Sequence, residues 1–220
     1  MQSPQKVVFE KAAKKMPVIG ILRDIPQGEE SACVQAAVSA GLTLLEVTMN
    51  TENAEVILSA LRKAAMGTEL VIGVGTVRTL EELDKAIASG AQFIVSPTTI
   101  LEIIQKGNSA GFPMIPGALT PTEVEIAFRA GASYVKVFPV NMVGGPSYIK
   151  NLRGPFRDIP LLACGGVHAN NAKEYLEAGS DLLAFGGSIF KPSLMKEGRW
   201  DEIEKDIREF CELAQENGLY

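Results

Sequence analysis

Histidine and cysteine are scarce in this chain. Among 220 residues there is one histidine, His168, and there are three cysteines, none of which belongs to a Cys-x-x-Cys pair. A Ser-His-Asp triad would have to use His168, and metal sites built from nitrogen and sulfur ligands usually need several such residues. Three widely spaced cysteines favour free thiols in a reducing compartment over a disulfide scaffold. The sequence therefore predicts neither metal catalysis nor a disulfide-stabilised secreted domain.

The chain also lacks an excess of positive charge and any long apolar run. The 21 Lys and Arg residues are outnumbered by 26 Asp and Glu residues, which gives a net charge of −5. Nucleic-acid-binding proteins usually present a basic face, so this balance argues against a nucleic-acid partner. No apolar run reaches the roughly 18 residues of a membrane span, and the first residues lack the apolar stretch of a secretory signal. We therefore expect a cytoplasmic protein without membrane association.

Short apolar runs alternate with longer segments of helical periodicity. The eight runs are VIGILR (18–23), LLEVTM (44–49), LVIGVGT (70–76), FIVSP (93–97), PMIPG (113–117), YVKVFP (134–139), PLLACGG (160–166) and LLAFGGS (182–188). Several helical segments end in a small residue and Gly, which suits a C-cap before a short loop. Thr79, Thr120 and Asn170 are the expected N-caps of three helices. Eight strand–helix units predict an α/β fold, a (β/α)8 TIM barrel, with residues 1–220 as a single domain.

The first residues predict one element in addition to the barrel. Phe9, Ala12, Ala13 and Met16 lie at helical spacing, which predicts an extra N-terminal helix within residues 1–16 that packs on the barrel. A doubly wound open sheet is the competing fold. Eight nearly even units, and the absence of a GxGxxG turn after the first run, favour the barrel instead.

The sixth run carries a lysine where a barrel strand is buried on both faces. Alternate side chains of a barrel strand point into the lumen, and the others face the helices. Val135 and Val137 suit the helix-facing side, so Lys136 and Phe138 are predicted to point inward. The same alternation in the second run predicts that Glu46 also points inward. The sequence thus places two opposite charges in one lumen.

These two charges allow a structural and a chemical interpretation. An isolated buried charge costs several kcal/mol, so Lys136 and Glu46 need a reason to be there. They could form a structural ion pair. Alternatively, desolvation lowers the pKa of Lys136 and makes its amine a nucleophile, with Glu46 as the proton-transfer group. Perturbed pairs occur both at functional sites and in structural networks, so the strand pattern alone leaves both interpretations open.

Glycine pairs follow the last two predicted strands. Gly165 and Gly166 end the seventh run, and Gly186, Gly187 and Ser188 end the eighth. Glycine lets backbone N–H groups approach a ligand closely, and the corresponding loops of TIM barrels frequently bind phosphate. We therefore expect a phosphate or carboxylate site here, with simple tight turns as the alternative.

Four other residues lie at strand ends. Thr76 ends GVGT, which lacks the GKS or GKT ending of a nucleotide loop, and its hydroxyl would bind a ligand or cap a helix. Arg23 ends the first run and would bind an anion or form a rim salt bridge. Cys164 has no second cysteine or lysine near it in sequence, which favours a small pocket-lining residue over a reactive thiol. His168 is expected at the rim, at a helix start.

Taken together, these stretches resemble one family, the pyruvate-dependent class I aldolases that act on 2-keto-3-deoxy-6-phosphogluconate (KDPG) and 4-hydroxy-2-oxoglutarate (KHG). The resemblance extends from VIGILR to the GGS of the eighth run. The stretches that carry it are LLEVT with Glu46, GVGT with Thr76, FIVSP with Pro97, IPGALTPTE, YVKVFP with Lys136, and then GGP, RGPF and GGV.

The resemblance implies a reaction. Lys136 would attack the C2 ketone and form a Schiff base, while Glu46 would move protons through water. The C3–C4 bond would then break, giving the enamine of pyruvate and an aldehyde, either glyceraldehyde 3-phosphate or glyoxylate. The expected partner is a small keto acid, with no metal or other cofactor. Relatives form trimers, so a homo-oligomer is expected.

The resemblance also implies binding roles. Thr76 and the Ser96–Pro97 turn would line the pocket for the pyruvyl carboxylate, and Phe138 would pack on the pyruvyl unit. The phosphate or distal carboxylate would be held by the glycine loops, through Gly165, Gly166, Gly187 and Ser188.

Two positions depart from the family pattern. Asn50, in MNT, stands where many members have the arginine of an LRT stretch, and Cys164 stands where a PTGG stretch has threonine. Both changes could alter which acid is preferred. In having asparagine at position 50, the sequence resembles relatives that cleave 2-keto-3-deoxy-6-phosphogalactonate. One rival is a phosphate-binding isomerase or synthase in which Lys136 is only a point charge. Another is an inactive barrel that binds a ligand or serves in an assembly, against which the presence of Lys136 and Glu46 argues.

Overall fold

Nine short parallel strands form one sheet in a computed structural model that describes residues 3–216. The strands are β1 (Val18–Leu22), β2 (Leu44–Thr48), β3 (Val71–Gly75), β4 (Ile94–Val95), β5 (Met114–Ile115), β6 (Gly117–Ala118), β7 (Val135–Val137), β8 (Leu161–Cys164) and β9 (Leu182–Phe185). Their order in the sheet is β5-β4-β3-β2-β1-β9-β8-β7-β6. The strands β5 and β6, which are consecutive in the chain, thus lie at the two ends of the sheet. The sheet curls into a nearly closed barrel.

The ninth strand arises because the fifth predicted strand is broken at one residue. Pro116 separates β5 from β6, and proline has no N–H group to donate to a neighbouring strand. Its carbonyl still accepts a hydrogen bond of 2.8 Å from the N–H of Lys136. The eight predicted strands and the TIM-barrel fold class are therefore confirmed, with β5 and β6 as two halves of one barrel strand.

Helices connect the strands and cover the outside of the barrel. They are α1 (Pro4–Lys15), α2 (Glu30–Ser39), α3 (Ala54–Ala64), α4 (Leu80–Ala88), α5 (Leu101–Ser109), α6 (Pro121–Arg129), α7 (Pro146–Arg153), α8 (Ala169–Glu177), α9 (Pro192–Lys196) and α10 (Trp200–Glu216). Thr79 and Thr120 form capping boxes with the acids three residues later, as expected. The third predicted N-cap is wrong, because α8 begins one residue before Asn170 and is capped at His168.

The core has an outer and an inner layer. The outer layer lies between strands and helices and contains residues such as Leu45, Val47, Val135 and Val137. The inner layer fills the lumen with the alternate residues of the strands. It contains Ile19, Leu44, Val71, Phe93, Val95, Ile115, Tyr134, Leu162, Cys164, Leu182 and Ala184, together with Phe9, Ala12 and Ala13 of the first helix.

The N-terminal helix α1 closes one end of this lumen. The ring of Phe9 is fully buried, with its centroid 5.1 Å from that of Phe93 and 5.8 Å from that of Tyr134. The predicted extra helix is therefore confirmed, although residues 1–2 and 217–220 of the predicted domain lie outside the described residues. Within residues 3–216, no helix has the length and apolar character that crossing a membrane requires.

Candidate active site

A cavity of about 370 Å³ opens at the carboxyl ends of the strands, opposite α1. This is the face on which TIM-barrel enzymes carry their active sites. The lining residues come from seven strands or the loops that follow them. They are Ile21, Arg23, Glu46, Thr48, Thr76, Pro97, Lys136, Phe138, Cys164, Gly165, Gly166, Val167, His168, Ala184, Gly186, Gly187 and Ser188.

Lys136 reaches this cavity from the middle of β7. The side chain points inward because Val135 and Val137, on either side, belong to the outer layer of the core. Lys136 is 7% exposed, and its Nζ lies 5.3 Å from the centroid of the Phe138 ring. Phe138 is 38% exposed, so it stands at the mouth of the cavity above the amine. The amine is thus shielded from bulk water but accessible to a ligand in the cavity.

Glu46 reaches the cavity from β2 and is 2% exposed. A neighbouring glycine makes room for its carboxylate. A Cβ atom on Gly75 would lie 2.3 Å from Oε1 of Glu46, far inside van der Waals contact. The absence of a side chain at Gly75 therefore fixes where the carboxylate can lie.

The electrostatics of the site are governed by burial and by the three charged groups near the strand ends. Burial raises the pKa of Glu46, and the positive charges of Lys136 and Arg23 oppose this rise only in part. Burial lowers the pKa of Lys136, but Cys164 and the Glu46 carboxylate raise it, and the net direction is upward. The lowered Lys136 pKa expected from the sequence is therefore wrong in its net direction: burial acts that way, but the neighbouring groups outweigh it. Glu46, with its raised pKa, is a suitable acceptor for the proton that Lys136 must lose to become nucleophilic.

Cys164 lies against the amine at the end of β8. It is 4% exposed, and its side chain is near enough to Lys136 for each residue to act on the pKa of the other. Burial raises the pKa of the Cys164 thiol, and the Lys136 charge opposes this only partly. A thiol with a raised pKa is a weak nucleophile, which suits a pocket-lining role. The sequence did not reveal its contact with Lys136, because the two residues lie on different strands.

The loop after β8 is built from two glycines in left-handed conformations. Gly165 and Gly166 have φ angles of 95° and 71°, and a Cβ on Gly166 would lie 2.6 Å from Cβ of Asn141. Asn171 braces this loop: its Nδ2 donates to the carbonyl of Gly166 at 2.9 Å, and its Oδ1 accepts from the N–H of His168 at 2.8 Å. The loop is therefore held in one conformation at the cavity wall.

A chain of hydroxyl groups supports the opposite wall, between β1 and β2. Thr48 lines the cavity and lies 3.1 Å from the Thr51 hydroxyl, which also accepts from the N–H of Asp24 at 3.1 Å. This contact ties down the chain next to Arg23. Thr76 has a φ of 61°, an uncommon conformation for a β-branched residue. Such strain is often found at functional sites.

The structure does not bring every predicted residue into the cavity. Asn50 is exposed in the turn after β2 and does not line the cavity. Ser96 is 1% exposed, its Oγ has no hydrogen-bond partner, and it does not line the cavity either. Val95 belongs to the lumen layer and Pro97 to the cavity lining, so Ser96 between them faces the helices.

Sequence reasoning missed some lining residues that the alternation of strands indicates. Ile21 lies two residues before Arg23, Thr48 two residues after Glu46, and Ala184 two residues before Gly186. Period-two spacing would have found all of them. Within residues 3–216, no group of three or more His, Cys, Asp or Glu side chains is arranged to hold a metal ion.

Comparisons with known proteins agree with this geometry. Residues 9–206 match the family "Aldolase: KDPG and KHG aldolase". A 2-dehydro-3-deoxy-phosphogluconate aldolase of Haemophilus influenzae is 36% identical over 176 residues, 80% of this chain and 82% of that protein. A 2-dehydro-3-deoxy-6-phosphogalactonate aldolase of Escherichia coli is 32% identical, over 91% of this chain and 98% of that protein.

Two solved structures are also similar. A native KDPGal structure superimposes with a TM-score of 0.86 at 31% identity, covering 92% of this chain and 96% of that chain. A KDPG aldolase of Legionella pneumophila, with pyruvate captured as a covalent carbinolamine intermediate, gives 0.85 at 26% identity, with 95% and 98% covered. Family, relatives and fold agree: the chain belongs to the KDPG and KHG aldolase family and is a lyase of the aldolase type.

Proposed function

We propose that the protein is a Schiff-base (class I) aldolase. It reversibly cleaves KDPG, 4-hydroxy-2-oxoglutarate or both to pyruvate and an aldehyde, which is glyceraldehyde 3-phosphate or glyoxylate. The observation that carries this proposal is the buried amine of Lys136, which lines the cavity together with the Glu46 carboxylate. The covalent pyruvate carbinolamine in the Legionella relative supports it.

The first half of the reaction forms the imine. Lys136 loses a proton to Glu46, and the neutral amine attacks the C2 ketone to give a carbinolamine. Glu46 then returns a proton to the C2 hydroxyl, which leaves as water. The product is an iminium ion that links C2 of the substrate to the nitrogen of Lys136.

The second half breaks the carbon–carbon bond. Glu46, now ionised, accepts the proton of the C4 hydroxyl as the C3–C4 bond breaks and the aldehyde forms. The bonding electrons move to the iminium nitrogen and leave an enamine. Protonation at C3 and attack of water on C2 then release pyruvate and restore the amine of Lys136.

The remaining lining residues bind the two ends of the substrate. Thr76, Pro97 and Phe138 enclose the pyruvyl end beside the amine. The glycine loops after β8 and β9 bind the phosphate or distal carboxylate through their backbone N–H groups and the hydroxyl of Ser188. Arg23 contributes positive charge at the cavity wall, which suits a dianionic substrate.

A second candidate substrate is 2-keto-3-deoxy-6-phosphogalactonate. The Escherichia coli relative named for that substrate covers 91% of this chain. Asn50 also departs from the arginine that many KDPG aldolases have. The two substrates differ in stereochemistry at C4, so turnover of both, measured side by side, decides between them. A phosphate-binding barrel without imine chemistry is the remaining alternative.

Reductive trapping tests the proposed chemistry. The protein is incubated with pyruvate and sodium borohydride, and the modified peptide is identified by mass spectrometry. We expect one stable adduct on Lys136, none in Lys136→Ala, and an unchanged adduct in Lys150→Ala, which removes an exposed lysine of α7. Labelling spread over surface lysines, or absent, would leave Lys136 as an anion-binding charge and favour the alternative without an imine.

Three further properties are part of the proposal. We infer a homotrimer, because relatives of the family form trimers, and light scattering after size-exclusion chromatography measures it. We also infer that residues 1–220 form one domain, since a single barrel accounts for the described residues. A cytoplasmic location fits a small, acidic metabolic enzyme with buried free thiols.

A further inference from the structure

The charged side chains of the cavity fall into two groups. Glu46 and Lys136 form the reaction centre, and the charge of Arg23 acts on the pKa of both. The cavity lining also contains His168, which lies in the loop after β8, two residues after Gly166. It is the one imidazole of the chain. The end of the cavity formed by the glycine loops therefore has an imidazole of its own.

The position of His168 is fixed by its backbone. Its φ and ψ are −138° and 165°, its N–H donates to Oδ1 of Asn171 at 2.8 Å, and its carbonyl accepts from the N–H of Asn171 at 3.1 Å. Asn171 in turn holds the carbonyl of Gly166. The imidazole is therefore anchored to the same brace that shapes the glycine loop.

A second, smaller cavity of about 160 Å³ is also lined by this residue. It shares His168 and Ser188 with the main cavity, and helix α10 supplies Asp206 and Glu209 to its lining. Asp206 is paired with Lys191 at 2.8 Å. An imidazole that lines both cavities has two ring nitrogens, one of which can donate its N–H to an anion bound in the main cavity. The lining shared by the two cavities thus carries a group suited to an anionic ligand.

We propose that His168 binds the phosphate monoester at the far end of a phosphorylated keto acid and so sets the preference for phosphorylated over unphosphorylated substrates. The proposal rests on the aldolase function proposed above. A six-carbon acid phosphate extends from Lys136 to the glycine loops, whereas the five-carbon 4-hydroxy-2-oxoglutarate is shorter and ends in a carboxylate. His168 should therefore act on the first substrate and not on the second.

Steady-state kinetics of His168→Asn tests this preference. Asparagine is a good N-cap, so α8 keeps its start while the imidazole is lost. A hydrogen bond to a charged group corresponds to a change of about tenfold to a hundredfold. We expect KM for the phosphorylated acid to rise by at least about tenfold, with kcat and the kinetics on 4-hydroxy-2-oxoglutarate changed by less than about twofold. Asn170→Ala, an exposed position on the same helix, is the control and should match wild type.

A binding experiment separates this proposal from the aldolase chemistry. Because the chain has one histidine, the tag-free protein gives a single imidazole Cε1–H signal in NMR spectra. Inorganic phosphate and glyceraldehyde 3-phosphate should both shift this signal in a saturable manner, whether or not Lys136 forms an imine. Equal losses on both substrates in His168→Asn, or a signal unmoved by both phosphate compounds, would overturn the assignment. A phosphate-dependent shift without any borohydride adduct would overturn only the aldolase mechanism.

Discussion

At the scale of single residues, the site depends on how burial acts on opposite charges. Burial opposes ionisation of both Glu46 and Lys136. At Glu46 burial prevails and raises the pKa, whereas at Lys136 the neighbouring groups outweigh burial and the pKa is raised as well. Their mutual attraction favours the charged forms, in part offsetting burial at Glu46 and helping to outweigh it at Lys136. The raised pKa makes Glu46 a stronger base than an exposed glutamate, so it accepts a proton more readily. Imine formation needs this proton transfer, because the amine must be neutral to attack and the carbinolamine must then lose water.

Glu46 should determine the acid limb of the pH–rate profile. It must be ionised to accept a proton, so activity falls as the pH drops through its pKa. Because burial raises that pKa, we expect the limb of kcat/KM to lie above the range of an ordinary glutamate. Glu46→Gln should lower kcat by about a hundredfold or more, the usual size of a general acid–base contribution, and should abolish the limb.

The same variant separates catalysis from stability. A raised pKa means that the folded protein binds the Glu46 proton more tightly than the unfolded chain does. This contribution to stability is present at low pH and is lost as the pH rises through the folded pKa. At neutral pH, thermal unfolding should therefore show Glu46→Gln to be at least as stable as wild type. An inactive variant that is clearly less stable would mean that Glu46 serves mainly as a structural partner of Lys136.

At the scale of elements, short strands place the chemistry by alternation, and the glycines between them control close approach. Gly75 at the end of β3 leaves the space that the Glu46 carboxylate occupies. In Gly75→Ala the new methyl group would lie 2.3 Å from Oε1 and 2.7 Å from Cδ of Glu46. The carboxylate is the free end of a side chain and can rotate away. We therefore expect a modest loss of stability, about 1–3 kcal/mol, with kcat reduced by about tenfold or more.

Gly154→Ala is the control for Gly75→Ala, because Gly154 has no catalytic side chain next to it. Gly154 follows α7 with a φ of −52°, is exposed, and an added Cβ would meet only the Asn151 carbonyl at 3.4 Å. Gly154→Ala should therefore keep full activity. Kinetics and thermal denaturation of both variants provide the test. Normal turnover in Gly75→Ala would show that the carboxylate does not need its present position.

Alternation also explains how far the sequence could predict the structure. The apolar residues on either side of Lys136 and Glu46 indicated the inward face of two strands, and the structure places both charges there. Alternation predicted side-chain orientation less well at the ends of strands. Strand β4 contains only two residues, so FIVSP did not reveal that Ser96 faces the helices. Asn50 lies beyond the last residue of β2, in a turn that has no period of two.

Other features were hidden because they depend on tertiary contacts. The contact between Cys164 and Lys136 joins two strands, and the brace from Asn171 to His168 depends on where α8 begins. The N-cap expected at Asn170 was wrong for this reason, because Asn171 instead forms the hydrogen bonds to the loop, with His168 and Gly166. The break at Pro116 could be anticipated from its missing N–H, although the sequence does not show that the barrel closes there.

At the scale of the whole molecule, the two ends of the lumen have different tasks. One end holds the cavity, and α1 closes the other with Phe9 against Phe93 and Tyr134. The residues between them belong to one apolar cluster. This packed lumen below the amine keeps water away from Lys136. We therefore expect substitutions at the α1 end of the barrel to change stability, and substitutions at the cavity end to change catalysis.

Phe9→Ala tests this separation. The Phe9 ring is fully buried, and removing such a ring typically costs about 3–5 kcal/mol through lost burial and the cavity left behind. At about 2–4 °C per kcal/mol for a protein of this size, Tm should fall by about 6–20 °C. Val7→Ala changes a residue of the same helix that is 52% exposed, and it should alter the free energy of unfolding by no more than about 0.5 kcal/mol. Below its Tm, Phe9→Ala should keep kcat within about threefold of wild type, because Phe9 does not line the cavity. If its kcat instead fell as far as that of Glu46→Gln while the protein stayed folded, the lumen would transmit the state of α1 to the amine, and the two ends would not be separate.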